Sequence, residues 1–448
     1  MNHGPWRTLQ LCRVPENQQV FSSNDLHQRG CSVGTANQMS PYRKLIARYR
    51  WPIATCALLV FLGIAILFAL PAGKTGDWVV PGEFEQQQAL LLAWEELPRH
   101  QADLDYLLPQ REVLADIIAA SYKSIAVVVL VSDDESRLSA EQALKERNVP
   151  LRKITFVDVP FDSIWIRDYG PISVKSADGQ VQWRHHEYKM TSEDWTNAEG
   201  QEFGRDQDAD LARRLARLTG ITSQQVPLVL YGGGISSNGD GLLLVASDIV
   251  KWNKDRYGYS KEQITDILME YYGATEVIFM TVLKGEPTGH LDMFATFVSP
   301  DTVVIGSYPE SHDPINAMIL NANAQRLSGV QTSHGPLKVA RITMAPHDSR
   351  FFGGTYANVV FANGTLLVPT YGIDPSIESS ALDTYKRLLP EWNIVGIDCG
   401  ALIIGEGAAH CVTLNMLSWP ADLKLPAVPV DWRSRNGMLD SHHERDSR

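Results

Sequence analysis

The chain has 448 residues, of which 44% are hydrophobic and 21% are charged, proportions that are ordinary for a globular protein. Its formal net charge of -12 argues against nucleic acids and anionic membrane surfaces as partners. The five cysteines do not make a disulfide scaffold, and because no two of them form a C-x-x-C pair, they do not indicate structural zinc.

Residues 1–50 form a polar and basic N-terminal segment without a sustained amphipathic period. Within it, Met39 is followed by the basic residues expected at the start of a targeting signal, so translation from Met39 is an alternative to translation from Met1.

Residues 51–73 contain an uncharged apolar run, from 52 to 72, that follows the cations Lys44, Arg48 and Arg50. A run of about 20 apolar residues can span a bilayer as a helix. We therefore predict a transmembrane anchor here, with a cleaved signal peptide and a buried core helix as alternatives. Because basic flanks stay in the cytoplasm, the rest of the chain is expected on the periplasmic or secreted side.

From about residue 77 to 425, segments with strand and helix patterns alternate without a long linker, which favours one α/β catalytic domain. The strand patterns cover Ser124–Val131, Leu228–Leu230, Gly241–Ala246, Glu276–Met280, Thr302–Ile305, Asn358–Phe361 and Thr365–Pro369. The helical patterns cover Arg111–Ser121, Asp208–Leu218, Ser260–Tyr271, Pro314–Leu327 and Ile377–Leu389. Ser260 and Gln263 have the spacing of a capping box. Residues 426–448 are predicted to be a mobile, charged tail.

Four short segments combine reactive side chains with turn-forming residues. In Trp165–Pro171, Gly170 and Pro171 indicate a turn after Asp168, and a locally hydrogen-bonded Arg167–Asp168 turn is the alternative to a functional role. The triplet Gly232–Gly234 permits close approach of the backbone to a ligand, although it also suits a plain loop.

The other two segments carry a histidine with an acid and a histidine with a thiol. His290 and Asp292 are two residues apart, and on an extended segment both would face the same side, which suits proton transfer, metal binding or a surface pair. The run Gly405–Thr413 leads through small residues to His410 and Cys411, and a buried, inert cysteine is the alternative there.

Taken together, these side chains suit attack on a guanidinium carbon. Carboxylates grip the planar guanidinium, a thiolate can attack perpendicular to that plane, and a histidine can protonate the departing ammonia and later activate water. Asp168, His290, Asp292 and Cys411 are the residues that would do this.

At this point the chain resembles the agmatine deiminase and bacterial peptidylarginine deiminase family of the guanidine-modifying superfamily, from about Val80 to Pro420. The resemblance is carried, in the family's order, by Pro81–Glu85 with Leu92–Trp94, Trp165–Pro171, Gly232–Gly234, Gly289–Asp292, Tyr356–Asn358 with Val368–Gly372, and His410–Thr413.

The resemblance implies a five-bladed α/β propeller (the pentein fold) of ββαβ-like modules, with no cofactor and no metal. It implies that Asp168 and Asp292 bind the guanidinium, that His290 is the general acid and base, and that Cys411 is the nucleophile forming a covalent thiouronium intermediate. Asn358, Trp165 and Gly233 are expected to complete the substrate pocket.

The expected reaction converts agmatine to N-carbamoylputrescine and ammonia, and the alternative substrate is peptidyl-arginine, which would yield citrulline. Tyr231 departs from the family, because agmatine-specific members usually have Glu before the glycines. Arg184–Lys189 offers cations for a substrate carboxylate, or is a solvated strand edge. The expected partner is the substrate, and the chain could be either a monomer or a homo-oligomer.

Two other classes of protein are compatible with some of these residues. A metallohydrolase could use His290, Asp292 and His410, but no H-E-x-x-H spacing supports it. A non-catalytic guanidine-binding protein could share the fold, because fold alone does not determine function.

Overall fold

Strands and helices alternate throughout the described part of the chain. The computed structural model describes residues 78–94, 101–189, 204–346 and 354–420, which group into one compact unit. The predicted N-terminal segment 1–50, apolar segment 51–73 and tail 426–448 lie outside the described residues. Within the described ranges, no helix is both long enough and apolar enough to cross a membrane.

The strands are short and many are apolar along their whole length. They are β1 (Trp78–Val79), β2 (Ala89–Trp94), β3 (Ala126–Val131), β4 (Ile154–Asp158), β5 (Ile172–Ser176), β6 (Val181–Glu187), β7 (Ser223–Val229), β8 (Ile235–Ser237), β9 (Leu242–Ala246), β10 (Glu276–Met280), β11 (Ala295–Ser299), β12 (Thr302–Ser307), β13 (Gln331–Thr332), β14 (Gly335–Pro336), β15 (Lys338–Thr343), β16 (Val360–Ala362), β17 (Thr365–Thr370), β18 (Asn393–Asp398) and β19 (Leu414–Met416).

The helices are α1 (Gln101–Ser121), α2 (Asp134–Glu146), α3 (Ile166–Tyr169), α4 (Asp206–Thr219), α5 (Asp248–Tyr257), α6 (Lys261–Tyr272), α7 (Pro314–Leu327), α8 (Pro375–Leu388) and α9 (Gly400–Ile403). Two 3-10 turns cover Leu151–Lys153 and Gly232–Gly234.

One strand arrangement recurs in five sheets of the described chain. Each contains an antiparallel pair followed by a parallel neighbour: β5-β6-β7, β8-β9-β10, β11-β12-β15, β16-β17-β18 and β19-β2-β3. In each sheet, at least one helix connects the two parallel strands, as parallel pairing requires a crossover. The unit is therefore strand, strand, helix, strand, in agreement with the expected α/β modules.

Apolar runs explain why these sheets are buried on both faces. All residues of β2 (ALLLAW) and β9 (LLLVA) are buried, as are five of the six in β3. Parallel sheets covered on both faces have such continuous runs of apolar residues. Each fully buried aliphatic side chain contributes roughly 1.5–3 kcal/mol to folding.

Local signals end the helices where the sequence provides caps. The Ser260 hydroxyl accepts from the Gln263 backbone N–H, and the Gln263 side-chain oxygen accepts from the Ser260 backbone N–H. The predicted capping box is therefore confirmed. Gly220, Gly258 and Gly273 end α4, α5 and α6 in the left-handed region, where a Cβ would be strained.

The predicted elements are observed, with shifts at their ends. β10 and α7 have the predicted bounds, while α1 begins ten residues before the predicted helix at Arg111. The segment Arg184–Lys189 is not a solvated strand edge: β6 lies between β5 and β7, and the Arg184 side chain is fully buried. The alternative was that cations of this segment bind a substrate carboxylate. Arg184 does not fit that role, because its Nε donates to the Tyr271 carbonyl oxygen at 3.0 Å.

The fold positions the site through its five inter-sheet connections. Each runs from the last parallel strand of one sheet to the first strand of the next. They carry, in chain order, Asp168 (β4 to β5), Gly233 (β7 to β8), His290 with Asp292 (β10 to β11), Asn358 (β15 to β16) and Cys411 (β18 to β19). Equivalent connections thus bring together residues that are up to 243 positions apart in sequence, from Asp168 to Cys411.

Candidate active site

Cys411 lies in the turn between α9 and β19 and is 4% exposed. Its Sγ is 3.3 Å from Asn358 Nδ2 and 3.8 Å from Asp292 Oδ2. Burial raises the pKa of the Cys411 thiol well above its ordinary value, and the nearby carboxylates of Asp292 and Asp168 add to the effect. The raised pKa favours the uncharged thiol, and the carboxylates and the Asn358 amide beside it distinguish this site from an inert cysteine in an apolar core.

Asp168 and Asp292 provide two carboxylates beside the thiol. Oδ1 of each is buried and has no hydrogen-bond partner among the described residues, although Asp168 Oδ1 lies 3.6 Å from His290 Nδ1. Burial raises the pKa of Asp168, partly offset by His290, and the charge of Asp292 raises it further. Buried acceptors without donors are costly, so these two oxygens are suited to a ligand that carries several N–H groups.

His290 lies between these acids and is 3% exposed. Burial lowers its pKa, but Asp168, Asp292 and Glu286 raise it, and the net pKa of His290 lies above its ordinary value. Glu286 also shapes the loop, since its Oε2 accepts from the backbone N–H of Gly289 at 2.7 Å and of His290 at 3.2 Å. The raised pKa favours the protonated form of His290, which can act as an acid.

The glycine triplet is required by close packing against the catalytic loop. A Cβ on Gly233 would lie 2.8 Å from His290 Nδ1 and 3.0 Å from Asp292 Oδ2. The Gly233 carbonyl accepts from the backbone N–H of Leu291 at 2.9 Å and of Asp292 at 3.0 Å. Gly233 thus holds the backbone of this loop and leaves room for its side chains.

Trp165 and Tyr231 form aromatic walls at the site. Trp165 immediately precedes α3 and packs on Gly407, where any Cβ would overlap the indole ring. The Tyr231 ring lies 5.6 Å from the His290 ring, 5.0 Å from Trp252 and 5.5 Å from Tyr188, measured between centroids. Tyr231 therefore packs directly against the His290 ring.

Glu83 was not predicted as a site residue, and His410 was predicted only as a possible metal ligand, yet both contact the site. His410 Nδ1 is 2.7 Å from Asp292 Oδ2, and His410 Nε2 is 2.8 Å from Glu83 Oε2. Arg167 donates to Glu83 Oε1 at 2.5 Å. Although burial raises it, the pKa of Glu83 falls to about 2 because Arg167 and His410 are close.

The signal for these residues was present in the chain. Glu83 lies in the quoted segment Pro81–Glu85, and His410 precedes the nucleophile. Buried charged side chains are almost always paired, but a sequence does not say with what. Only the fold places Glu83 beside His410, across 327 residues.

The structure refines two interpretations of the motifs. Arg167 and Asp168 do lie in a turn with local backbone hydrogen bonds, from the Asp168 N–H to the Trp165 carbonyl at 3.0 Å, but the Arg167 side chain is bonded to Glu83 and the Asp168 side chain faces His290. The stretch from His290 to Asp292 is a turn after a loop rather than an extended segment, and the turn closes with a bond from the Phe294 N–H to the Leu291 carbonyl.

The metal interpretation of His290, Asp292 and His410 does not match the geometry either. Both ring nitrogens of His410 are engaged by carboxylates, which leaves neither lone pair for an ion. In the described ranges, no group of three or more His, Cys, Asp or Glu side chains is arranged to hold a metal.

A buried thiol, two carboxylates and an imidazolium on inter-sheet loops define a thiol-dependent hydrolase site. Residues 79–416 match the sequence profile of the Porphyromonas-type peptidyl-arginine deiminase family. The chain belongs to this family, whose members are hydrolases acting on C–N bonds.

Individual relatives agree with the family assignment. The chain is 27% identical to the "Putative agmatine deiminase" of Mycoplasma capricolum, over 76% of this chain and 95% of that one. It superimposes with a TM-score of 0.62 on the "Putative Arginine Deiminase" of Porphyromonas gingivalis, which is 25% identical, over 76% of this chain and 98% of the other. The agmatine deiminase of Enterococcus faecalis shares the fold at a TM-score of 0.66 and 22% identity, over 77% and 97% of the two chains.

Proposed function

We propose that this protein is a deiminase that hydrolyses a guanidino group to a ureido group and ammonia through a covalent intermediate on Cys411. The observation that carries the proposal is the pair of buried, unpartnered oxygens of Asp168 and Asp292 beside a buried thiol and the His290 imidazolium. A guanidinium supplies the missing donors, a planar carbon and a positive charge.

The first step is binding of the guanidinium by Asp168 and Asp292. Its charge offsets the carboxylates that raise the Cys411 pKa, so the bound cation favours the thiolate, whose proton passes to water. Asn358 Nδ2, 3.3 Å from the sulfur, donates to the resulting anion. Binding of the substrate thereby activates the nucleophile.

In the next step, Cys411 Sγ forms a bond to the guanidinium carbon, and the C=N electron pair moves to nitrogen. The His290 imidazolium donates its proton to one amino nitrogen, the C–N bond breaks, ammonia leaves, and a thiouronium remains on the sulfur. Neutral His290 then takes a proton from water while the oxygen attacks the same carbon. The C–S bond breaks, the added hydroxyl loses its proton, and the ureido product and thiolate form.

Agmatine is the substrate we propose. Several relatives carry agmatine deiminase in their names, and the Tyr231 ring beside His290, which packs on Tyr188 and Trp252, is an aromatic group of the kind that attracts an amine cation. Ammonia release should be measured with agmatine, arginine and a blocked arginine peptide. A tenfold higher kcat/KM for the peptide, or about 1.4 kcal/mol in transition-state binding, would reverse this choice.

Peptidyl-arginine is the second candidate, because the matching family is named for it. Arg205 also lies close enough to Asp168 to influence its pKa, and its NH1 donates to the Tyr188 hydroxyl at 3.3 Å. The positive charge of Arg205 near Asp168 would attract a carboxylate or carbonyl of the substrate and would repel an amine cation. Formation of citrulline in a peptide, detected by mass, would identify this activity.

We further propose that the five sheets are the blades of a closed five-bladed propeller. The repeated strand order supports this, as does the pairing of the late strand β19 with the early strand β2, Leu414 opposite Leu91. An experimental structure whose sheets do not close around the site would contradict it.

The catalytic domain, 77–425, is also proposed to lie outside the cytoplasm, held by 52–72 or released after cleavage. The support is the basic flank at Lys44, Arg48 and Arg50 before the apolar run. A reporter fused after Leu425 that works only in the cytoplasm would overturn this. The presence of a second copy of the chain stays a prediction that ultracentrifugation can test.

A further inference from the structure

A chain of charged side chains lies behind the guanidine-binding carboxylate of Asp292. Arg167 donates to Glu83 Oε1 at 2.5 Å, Glu83 Oε2 lies 2.8 Å from His410 Nε2, and His410 Nδ1 lies 2.7 Å from Asp292 Oδ2. Of these groups, only Asp292 takes part in the proposed chemistry. The other three therefore need a reason to carry charge here, since Arg167 and His410 are buried and the Glu83 side chain is only 30% exposed.

We propose that Glu83 and His410 are positioning residues, which hold Oδ2 of Asp292 so that its Oδ1 faces the substrate guanidinium. The inference rests on the proposed function, because it assigns Asp292 to guanidine binding. It adds two residues that act through Asp292 and do not touch the substrate.

The geometry of Asp292 shows what His410 does. One oxygen, Oδ2, is bonded to His410, while Oδ1 is buried with no hydrogen-bond partner in the described chain. Oδ2 is also 3.8 Å from the Cys411 sulfur. Without the donor on His410, the carboxylate is able to rotate, and its full charge faces the thiolate that the reaction needs.

Glu83 determines which nitrogens of His410 carry protons. A neutral imidazole has a single N–H, and if that proton pointed to Glu83, a bare Nδ1 would face Asp292 and repel it. An imidazolium donates to both carboxylates at once. Burial and Arg167 lower the pKa of His410, but Glu83 and Asp292 raise it, and the net pKa is above its ordinary value. The charged groups that act on His410 are Arg167, Glu83, Asp292 and His290.

The backbone and an adjoining cavity fit this role. The backbone N–H of His410 donates to Asn358 Oδ1 at 2.8 Å. This bond holds the His410 backbone independently of the imidazole ring. A cavity of about 60 Å³ lies beside Glu83, Arg167 and His410. Amide side chains can therefore replace the imidazole without overpacking the site.

Two amide substitutions separate the bonds of His410. The amide nitrogen of His410→Asn stands near the position of Nδ1 and keeps the donor to Asp292, whereas that of His410→Gln stands near Nε2 and keeps only the contact with Glu83. Both are made in a Cys411→Ser background, and agmatine binding is measured by calorimetry. We expect His410→Asn to bind within about threefold of the background, and His410→Gln to bind about 30-fold more weakly, since a charged buried hydrogen bond is lost.

Glu83→Gln, in the same Cys411→Ser background, tests whether the negative charge of Glu83 keeps His410 protonated. This change removes the carboxylate that raises the His410 pKa, so His410 loses its proton nearer to its ordinary pKa of 6.5. The agmatine Kd of Glu83→Gln should rise more steeply between pH 6 and pH 8 than that of the background. His334→Asn, at an exposed histidine, is the matched control and should leave the Kd unchanged.

Each outcome decides something. Equal agmatine binding by His410→Asn and His410→Gln, with unchanged melting temperatures, overturns the positioning role alone. A common loss of binding in both variants with lowered melting temperatures would also overturn it, because the role would be structural. Failure of the Cys411→Ser protein itself to bind agmatine, arginine or the arginine peptide would instead remove the proposed function and this inference together.

Discussion

Asn358 holds the nucleophile through its side-chain amide: its Nδ2 lies 3.3 Å from Cys411 Sγ, and its Oδ1 lies 3.7 Å from the same atom. The side chain is fully buried, so this contact is not exchanged with water. A donor at this distance lowers the thiol pKa against the larger opposing effect of burial.

Asn358→Asp should reduce kcat about 100-fold, because it replaces the donor with a third carboxylate beside the sulfur and raises the thiol pKa further. Alkylation of Cys411 by iodoacetamide should slow in parallel. Asn321→Asp is the control, since Asn321 only accepts from Arg341 at 3.0 Å on the surface and a carboxylate can do the same. An unchanged alkylation rate in Asn358→Asp would contradict this role.

Cys411→Ser should lose activity by at least about a thousandfold, because an unactivated hydroxyl is a far poorer nucleophile than a thiolate. Cys399→Ser is the matched control: Cys399 is buried ahead of α9 and takes no part in the site, so its replacement should retain activity. Acid quenching of the wild-type enzyme during turnover should trap an adduct on Cys411, detected by mass. Turnover by Cys411→Ser at the wild-type rate would exclude the covalent mechanism.

Gly233→Ala should lower kcat/KM about 100-fold with a small change in melting temperature. The added Cβ would meet His290 Nδ1 at 2.8 Å and displace the general acid from its place between the carboxylates. Gly329→Ala makes the same change where no heavy atom lies within 4 Å, and should leave kcat/KM unaltered. If both variants behaved alike, the close approach at Gly233 would have no catalytic meaning.

The dependence of kcat/KM on pH should be bell-shaped with its maximum on the alkaline side of 6.5. The pKa of His290 is raised above 6.5 and that of Cys411 well above 9.0, so the acid must keep its proton while the thiol loses one. The acidic and alkaline limbs of the profile both report the joint titration of His290 and Cys411. Both limbs should therefore lie above the ordinary pKa of a histidine. A profile with its maximum below pH 6 would show that the charges around His290 do not act as described.

Activity should survive exhaustive treatment with EDTA and be abolished by a thiol alkylator. The reason is chemical: the site's second histidine, His410, has both ring nitrogens bonded to carboxylates, and the nucleophile is a thiol that needs only a bound cation for activation. Loss of activity with EDTA and its return with added zinc would favour a metal-activated water instead.

Patterns among residues close together in sequence predicted several strands, a helix start and the loops that carry reactive side chains. The apolar runs of β3 and β9 indicated buried strands, and the capping box of α6 marks that helix where it begins, since both depend on neighbours within a few residues. The turn residues around Asp168 and Cys411 likewise indicated loops that present reactive groups. The motifs, in their order, were sufficient for the family.

The tertiary structure decided how these groups act on one another. Glu83 and His410 are 327 residues apart, and no periodicity or spacing relates them. Gly233 approaches His290 because separate inter-sheet loops converge, and Glu83 reaches His410 because the segment between β1 and β2 meets the loop before β19. Protonation follows from that convergence, because a pKa depends on burial and on charges within a few ångströms. The sequence therefore determined which chemical groups are present, and the fold decided that the pKa values of Cys411 and His290 are raised and that Asp292 has one oxygen available for a ligand.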